Sequence, residues 1–370
     1  MKKMIFTAAM MLASAAAMAQ SGTFQIKGNV EGLPDSLVAM IGRKTENIEV
    51  KKKKFVYSKN FDKPQWVYLC DQKLIKSGVF KAYPVFAIPS ETIEMKGNFT
   101  GGVDIKGGKF YQEQDLMNEY RDQAYKDIQA LWKWYSGNVN DSNRDSIKKV
   151  VDERMEPLQK KYAADLLAYA KQHSDQECIA LLIDELDDVK DKETLISLMA
   201  DNVKNGRMKA YYEPIIERAK KQAEMEEKAK VVQASGVEAP DFTLNDINGK
   251  PFSLSSLRGK YVVIDFWGSW CIWCIKGMPK MKEYYEKYKG KFEILGVDCN
   301  DTEAKWKAAV EKHQLPWIHV YNPKGSDVLG KYAIQGFPTK IVIGPDGKIV
   351  KTIVGEDPAF YTLLDEVLGK

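Results

Sequence analysis

The stretch KYVVIDFWGSWCIWCIKGMPKMKEYYEKYKG, residues 260–290, constrains the fold more than any other part of the chain. It opens as a short apolar run rich in β-branched and aromatic side chains, the pattern of a buried strand. It ends as an amphipathic helix closed by glycine. Between the two stand Cys271 and Cys274, one helical turn apart, so that Cys271 opens the helix. A buried strand that feeds directly into a helix is a unit of an α/β sheet with helices on its faces. The flanking sequence alternates in the same way. KFEILGVD predicts a strand, TEAKWKAAVEKH a helix, WIHVYN a short strand and PAFYTLLDEVLG a closing helix. Two hairpins complete the pattern, DFTLNDINGKPFSL turning at Asn248-Gly249 and TKIVIGPDGKIVKTIVG turning over Gly344 to Gly347.

Three chemistries are open to a cysteine pair at this spacing. A structural zinc site wants four ligands; the chain has no second cysteine pair, and His173, His313 and His319 are scattered. A purely structural disulfide would close a tiny loop and so remove little chain entropy. Redox chemistry fits the position. Free backbone N–H groups and the helix dipole favour an anion at a helix start, so a thiolate at Cys271 is stabilised and its pKa falls below the free value of about 8.5. Cys274 can reach Cys271 to close a disulfide.

The remaining sequence sets the context. A chain of 370 residues exceeds one typical core, so several domains are expected. Residues 22–106 read as short strands separated by Gly, Pro, Asp and Asn, a small antiparallel β-domain that leaves through the glycine-rich GGVDIKGG. Residues 109–232 turn helical, with Val151, Met155, Leu158, Tyr162, Leu166 and Tyr169 at spacings of three and four. ASGVEAP marks a boundary, and residues 236–370 form the α/β domain. The net charge of +4 is spread among interspersed acids and bases, which argues against nucleic acid as a partner. Lys51 to Lys54 reads as a solvated turn.

Lys2-Lys3, the apolar Ile5 to Met18 and the small-x-small triplet Ala17-Met18-Ala19 read as a secretory signal peptide over residues 1–19. The apolar part falls short of the ~20 residues that a spanning helix needs. The mature protein is therefore expected to be soluble and periplasmic, or otherwise extracytoplasmic, where disulfides persist. Of the five cysteines, Cys70, Cys178 and Cys299 read as buried small hydrophobes, although a Cys70–Cys178 bridge stays open.

WCIWC after VIDFW, with GFPT at 336–339 leading into a hairpin, resembles the thioredoxin fold. The longer GVEAPDFTLNDINGKPFSLSSLRGKYVVIDFWGSWC is similar to the exported thiol–disulfide oxidoreductases called TlpA-like or ResA-like. That branch inserts a strand and a helix into the thioredoxin core, which suits the long interval from Cys274 to Pro338. The resemblance spans about residues 236–370. It implies Cys271 as attacking thiolate, Cys274 as resolving thiol, and Asp265 as the buried acid that helps Cys274 lose its proton. A polar residue bonded within the strand is the other reading of Asp265. Pro338 is implied as a cis-proline facing the disulfide, and Phe337 as the donor of backbone contacts to an extended substrate. Trp270 and Trp273 are further candidate substrate contacts, with core packing the alternative for Trp273. Two departures stand out. Many ResA-type relatives carry glutamate three residues after the second cysteine, where this chain has Gly277, leaving Asp265 as the expected sole carboxylate. Ile272-Trp273 replaces the Gly-Pro of thioredoxin, so the reduction potential is not transferable.

The resulting expectation is a reductant of exported, cysteine-containing client proteins, recharged by a membrane thiol donor and needing no cofactor or metal. Apocytochrome c is one client that the family implies. The peroxide-reducing relatives share the APDFTL opening but place a single peroxidatic cysteine after a loop that is missing here. A disulfide isomerase or oxidase, with the leader domains holding clients or making a dimer, is the enzymatic alternative. A binding protein with a vestigial pair is the non-enzymatic one.

Overall fold

The computed structural model describes residues 21–140 and 142–369, so the expected signal peptide lies outside the described residues. The chain divides into two compact units between Ala219 and Lys220. Among the described residues no helix is long and apolar enough to cross a membrane.

The first unit begins with β1 (Gly22–Glu31), β2 (Leu37–Ile41), β3 (Lys44–Asn47), β4 (Lys54–Phe61), β5 (Gln65–Asp71), the short α1 (Gln72–Lys76), β6 (Ala82–Ala87), β7 (Thr92–Asn98) and β8 (Gly102–Lys106). These form two four-stranded sheets, ordered β4-β1-β7-β8 and β3-β2-β5-β6. All pairings are antiparallel except β1 with β7, which is parallel. Alternation directs burial: Phe24, Ile26 and Val30 of β1 point inward while Lys27, Asn29 and Glu31 face water. Two strands went unpredicted, β3 and β8. The GGVDIKGG segment, expected as an exit loop, contributes Gly102–Lys106 as an edge strand whose alternate residues are only half-buried. Its alternation is limited to Val103 and Ile105, and the flanking glycines read as loop.

Helices follow: α2 (Lys109–Ala124), α3 (Lys126–Asn138), α4 (Arg144–Gln172), α5 (Val189–Leu198), α6 (Asp201–Lys204) and α7 (Lys209–Val232). Pro157 lies inside α4. The apolar ECIALLID, expected to be helical, is a 3-10 segment over Glu177–Asp184. Sheet and helices share one core, in which Phe24, Phe86, Phe110, Leu166, Cys178 and Leu182 all take part. Arg207 ties the two parts together through Glu91 (2.7 Å) and a two-nitrogen clasp on Glu177.

The second unit contains β9 (Thr243–Asp246), β10 (Pro251–Ser253), β11 (Tyr261–Trp267), α8 (Ile272–Lys287), β12 (Phe292–Asp298), α9 (Glu303–His313), β13 (Ile318–Tyr321), α10 (Val328–Lys331), β14 (Thr339–Ile343), β15 (Ile349–Val354) and α11 (Ala359–Leu368). Its sheet runs β10-β9-β13-β12-β11-β14-β15. β11, β12 and β13 are parallel, and the hairpin arms at both edges run antiparallel. Both predicted hairpins are present, closed by Asp246 N–H to Lys250 O (2.7 Å) and Gly344 N–H to Lys348 O (2.9 Å). Because β11 is buried on both faces, its alternate residues enter two cores. Val263 and Trp267 pack with Met278, Met281, Trp306 and Phe360 of α8, α9 and α11. Val262, Ile264 and Phe266 pack with Phe242, Leu254, Val328 and Tyr332.

Both cores of this unit lie within residues 239–368. Gln233 adds three hydrogen bonds, from its side chain to Tyr332 O (2.6 Å) and Ala333 O (3.4 Å) and from Thr352 Oγ1 to its carbonyl (3.4 Å). A fragment of residues 233–370 is therefore expected to fold alone, with one cooperative urea transition. A fragment that is soluble but lacks a cooperative transition by near-UV circular dichroism would contradict this.

Candidate active site

β11 ends at Trp267, and a three-residue turn carries the chain to Cys271. The turn is held from below. Asp301 accepts from the Ser269 N–H (2.6 Å) and hydroxyl (2.8 Å), and the Trp270 indole donates to the Cys299 carbonyl (3.0 Å). Gly268 packs so closely against Trp270 and the Cys299 carbonyl that a Cβ there would clash with both. Cys271 is the N-cap of α8 in extended conformation, and its sulfur accepts the Cys274 N–H (3.2 Å). Helix starts leave such donors without intrahelical partners, so the sulfur takes the place of the usual oxygen cap. Cys271 and Cys274 are joined as a disulfide with Cα atoms 5.3 Å apart.

Both cysteines are buried, Cys271 at 5% and Cys274 at 4% exposure. Neither sulfur is presented ahead of the other. Instead the residues around the pair are exposed: Trp270 at 49%, Ile272 at 67% and Trp273 at 61%. Trp273 is not a core residue, and its ring carries the Lys276 ammonium 4.4 Å from its centroid. Trp270 meets half-buried Phe337 edge-on at 5.3 Å. The Phe337–Pro338 bond is cis, and the Pro338 carbonyl accepts the Gly355 N–H (2.7 Å). The sulfurs lie low within an apolar rim.

Asp265 alternates with Val263 and Trp267, so it faces the layer that contains Cys274, Met278 and Met281. It is 5% exposed, and its Oδ1 has no hydrogen-bond partner. Burial pushes its carboxyl up to about 6; the Lys340 cation opposes the rise and the Glu356 charge adds to it. Lys340 is directly opposite Asp265 across the β11–β14 pair. It is 1% exposed and bonds Glu356 at 2.8 Å. The other Glu356 oxygen accepts from the Tyr361 hydroxyl (2.7 Å), which also reaches the Gly277 carbonyl (3.4 Å).

Asp265 is therefore not the sole carboxylate near the pair. Glu356, from the turn between β15 and α11, lies against Gly277, where an added Cβ would run into its carboxylate. Sequence reading missed both Lys340 and Glu356. A lysine inside the apolar TKIVI was a signal, because alternation places it inside; Glu356 in VGEDP gave none. Asp298 was also missed. It is fully buried at the end of β12, and burial followed by the charge of Asp301 raises its carboxyl to about 8.

Cys70, Cys178 and Cys299 are free and buried. Burial pushes the Cys299 thiol up, and the charges of Asp298 and Asp265 push it further. None of the three is therefore placed to be a reactive thiolate, and Cys70 and Cys178 do not bridge.

Residues 235–352 match the model of the AhpC/TSA family. The thiol-disulfide oxidoreductase ResA of Bacillus cereus is 43% identical over 122 residues, 33% of this chain and 70% of that protein. ResA of Bacillus subtilis is 34% identical over 123 residues, 33% of this chain and 68% of that protein. The thioredoxin domain of a thiol-disulfide oxidoreductase from Bacteroides vulgatus is 36% identical, covering 36% of this chain and 98% of that domain with a TM-score of 0.35. With more than two thirds of these ResA proteins matched, and with a strand-to-helix dithiol centre at the matched site, the chain belongs to the ResA-like thiol–disulfide oxidoreductases of the thioredoxin superfamily.

Proposed function

We propose that this oxidoreductase is exported and reduces the disulfides of client proteins, with Cys271 as attacking thiolate, Cys274 as resolving thiol and Asp265 as proton acceptor. The observation that carries this reading is the Cys271 sulfur capping α8, whose cysteines pack in the layer that the buried Asp265, with its unpartnered Oδ1, faces. The capped sulfur is stabilised as an anion by the N–H it accepts and by the helix start. It attacks one client sulfur; the client S–S bond breaks, and the departing client thiolate takes a proton from water. A mixed disulfide remains. Cys274 then gives its proton to Asp265 and attacks the Cys271 sulfur. The Cys271–Cys274 bond forms, and the second client thiolate leaves and is protonated. Two electrons pass to the client, and an external dithiol must return them. The basic start and apolar run before residue 20 support export, and a membrane thiol carrier is the donor that suits that compartment. The exposed Trp270, Ile272 and Trp273, with Phe337 beside them, support docking of apolar residues that flank the client cysteine.

Since the two cysteines are equally buried, labelling should discriminate by thiolate character. After reduction, iodoacetamide at pH 7 is expected to modify Cys271 first, because the helix start favours its thiolate. Peptide mapping by mass spectrometry checks this, and preferential labelling of Cys274 would reverse the roles.

Asp265→Asn should slow resolution of the mixed disulfide about 10²-fold near neutral pH, with partial recovery at high pH. Stopped-flow oxidation by a model disulfide reads this, and wild-type rates at every pH would leave Asp265 a structural residue. The same variant should alter stability. A carboxyl raised from 3.8 to about 6 in the folded state favours folding fully below pH 3.8, and that advantage fades as pH rises through 6. Above pH 6 the wild type should have lost up to about 3 kcal/mol that Asp265→Asn does not lose. Urea titrations at pH 4 and pH 7.5 should therefore show a smaller difference in the variant. Asp298 keeps a slope of the same sign up to about pH 8 in both proteins.

A further inference from the structure

Three ionisable side chains from three elements meet in the apolar layer beneath α8. Asp265 comes from β11, Lys340 from β14 and Glu356 from the turn after β15. They carry two potential negative charges and one positive charge. The surroundings offer few other charges: Tyr361 from α11 bonds Glu356, Cys274 from α8 is in the disulfide, Cys299 follows β12, and Asp298 shares this face of β12 by alternation. Glu356 reaches the site because position 277 is glycine; any larger residue would occupy the space of its carboxylate. Lys340 therefore has two acids to serve, and its bond at 2.8 Å goes to Glu356. The cation is then neutralised before it can fully stabilise ionised Asp265, whose Oδ1 stays without a hydrogen-bond donor.

We infer that Glu356 is a positioning residue for disulfide exchange, which holds the Lys340 ammonium and so keeps Asp265 a proton acceptor rather than a permanently ionised partner of Lys340. The inference rests on the proposed role of Asp265. It gives Gly277 a purpose: the glycine admits a carboxylate from another element beside the helix that carries the cysteines. No residue beyond these three is needed to carry the effect.

Carbon-13 NMR titration of the Asp265 carboxyl in the oxidised full-length protein tests this directly, because a disulfide-bonded Cys274 does not titrate. In Glu356→Gln the released Lys340 charge should lower the Asp265 midpoint by about one pH unit, a tenfold loss of proton affinity. Lys340→Met should raise it. Glu356→Asp, which keeps the charge, should return it toward the wild-type value. The double variant Lys340→Met/Glu356→Gln should lie between the two single variants, and it keeps the test open if a lone buried charge prevents one of them from folding. The pH profile of mixed-disulfide resolution should move in step, with its rising limb at lower pH and a lower plateau in Glu356→Gln. Asp265 midpoints within about 0.3 units of wild type in Glu356→Gln and Lys340→Met, or in whichever of the two folds, would overturn the inference. A shifted midpoint beside wild-type turnover in Asp265→Asn would instead support the coupling and overturn the catalytic use of Asp265.

Discussion

Lys340 is 1% exposed in the layer between the central sheet and α8, and a cation there requires a counter-charge. Removing one partner of such a pair typically costs about 3–5 kcal/mol, because the other is left buried and unpaired. The layer answers this need with Glu356 at 2.8 Å, still 18% exposed at its side chain, so only part of its hydration is given up. Phe360 contributes a ring face 5.4 Å from the ammonium. These contacts fix where β15 must end and where α11 must begin, since Glu356 and Tyr361 have to converge on Lys340 and Gly277. The ion pair thus links the last hairpin and the last helix to the helix that carries the cysteines.

Asp265 inherits its chemistry from that arrangement. Two carboxyls and one ammonium in a dry layer cannot all be ionised cheaply, so one proton is held near neutrality. Burial provides the main push on Asp265, Lys340 pulls against it and Glu356 restores part of the push. A lone buried carboxyl would be protonated well into the alkaline range, and a carboxyl paired with lysine would stay ionised. A value of about 6 lies between these limits, where a group both accepts and releases protons at working pH.

The legibility of the fold followed local physics. The buried strand, the cysteine at a helix start and the two hairpin turns are short-range features, and all appear where the sequence puts them. Elements with a short or ambiguous signal were misread: β8 has only Val103 and Ile105 between glycine pairs, and the continuous apolar run at Glu177–Asp184 does not separate a 3-10 turn from an α-helix. The site divided in the same way. Cys271, Cys274 and cis-Pro338 could be read from spacing and resemblance, but the burial of Cys271 could not, because the turn that lowers it is held by Asp301 and the Cys299 carbonyl, about 30 residues away. Glu356 stood in a polar, turn-like VGEDP segment. Only the tertiary fold, through Lys340 and Gly277, gives it a buried task.

A carboxylate beside the second cysteine can be supplied in more than one way, and the sequence position is less informative than the space. In the ResA-type pattern it would project from α8 itself, three residues after Cys274. Here that position is Gly277, and its missing side chain is what lets Glu356 in from the opposite direction. The two solutions differ in anchorage. A carboxylate on α8 would belong to the helix of the cysteines, whereas Glu356 is held by Lys340 of the sheet and by Tyr361 of α11, whose hydroxyl also reaches the Gly277 carbonyl on α8. The charges that act on Asp265 beside its burial, Lys340 and Glu356, thus come from β14 and from the turn after β15 rather than from the helix that carries the cysteines.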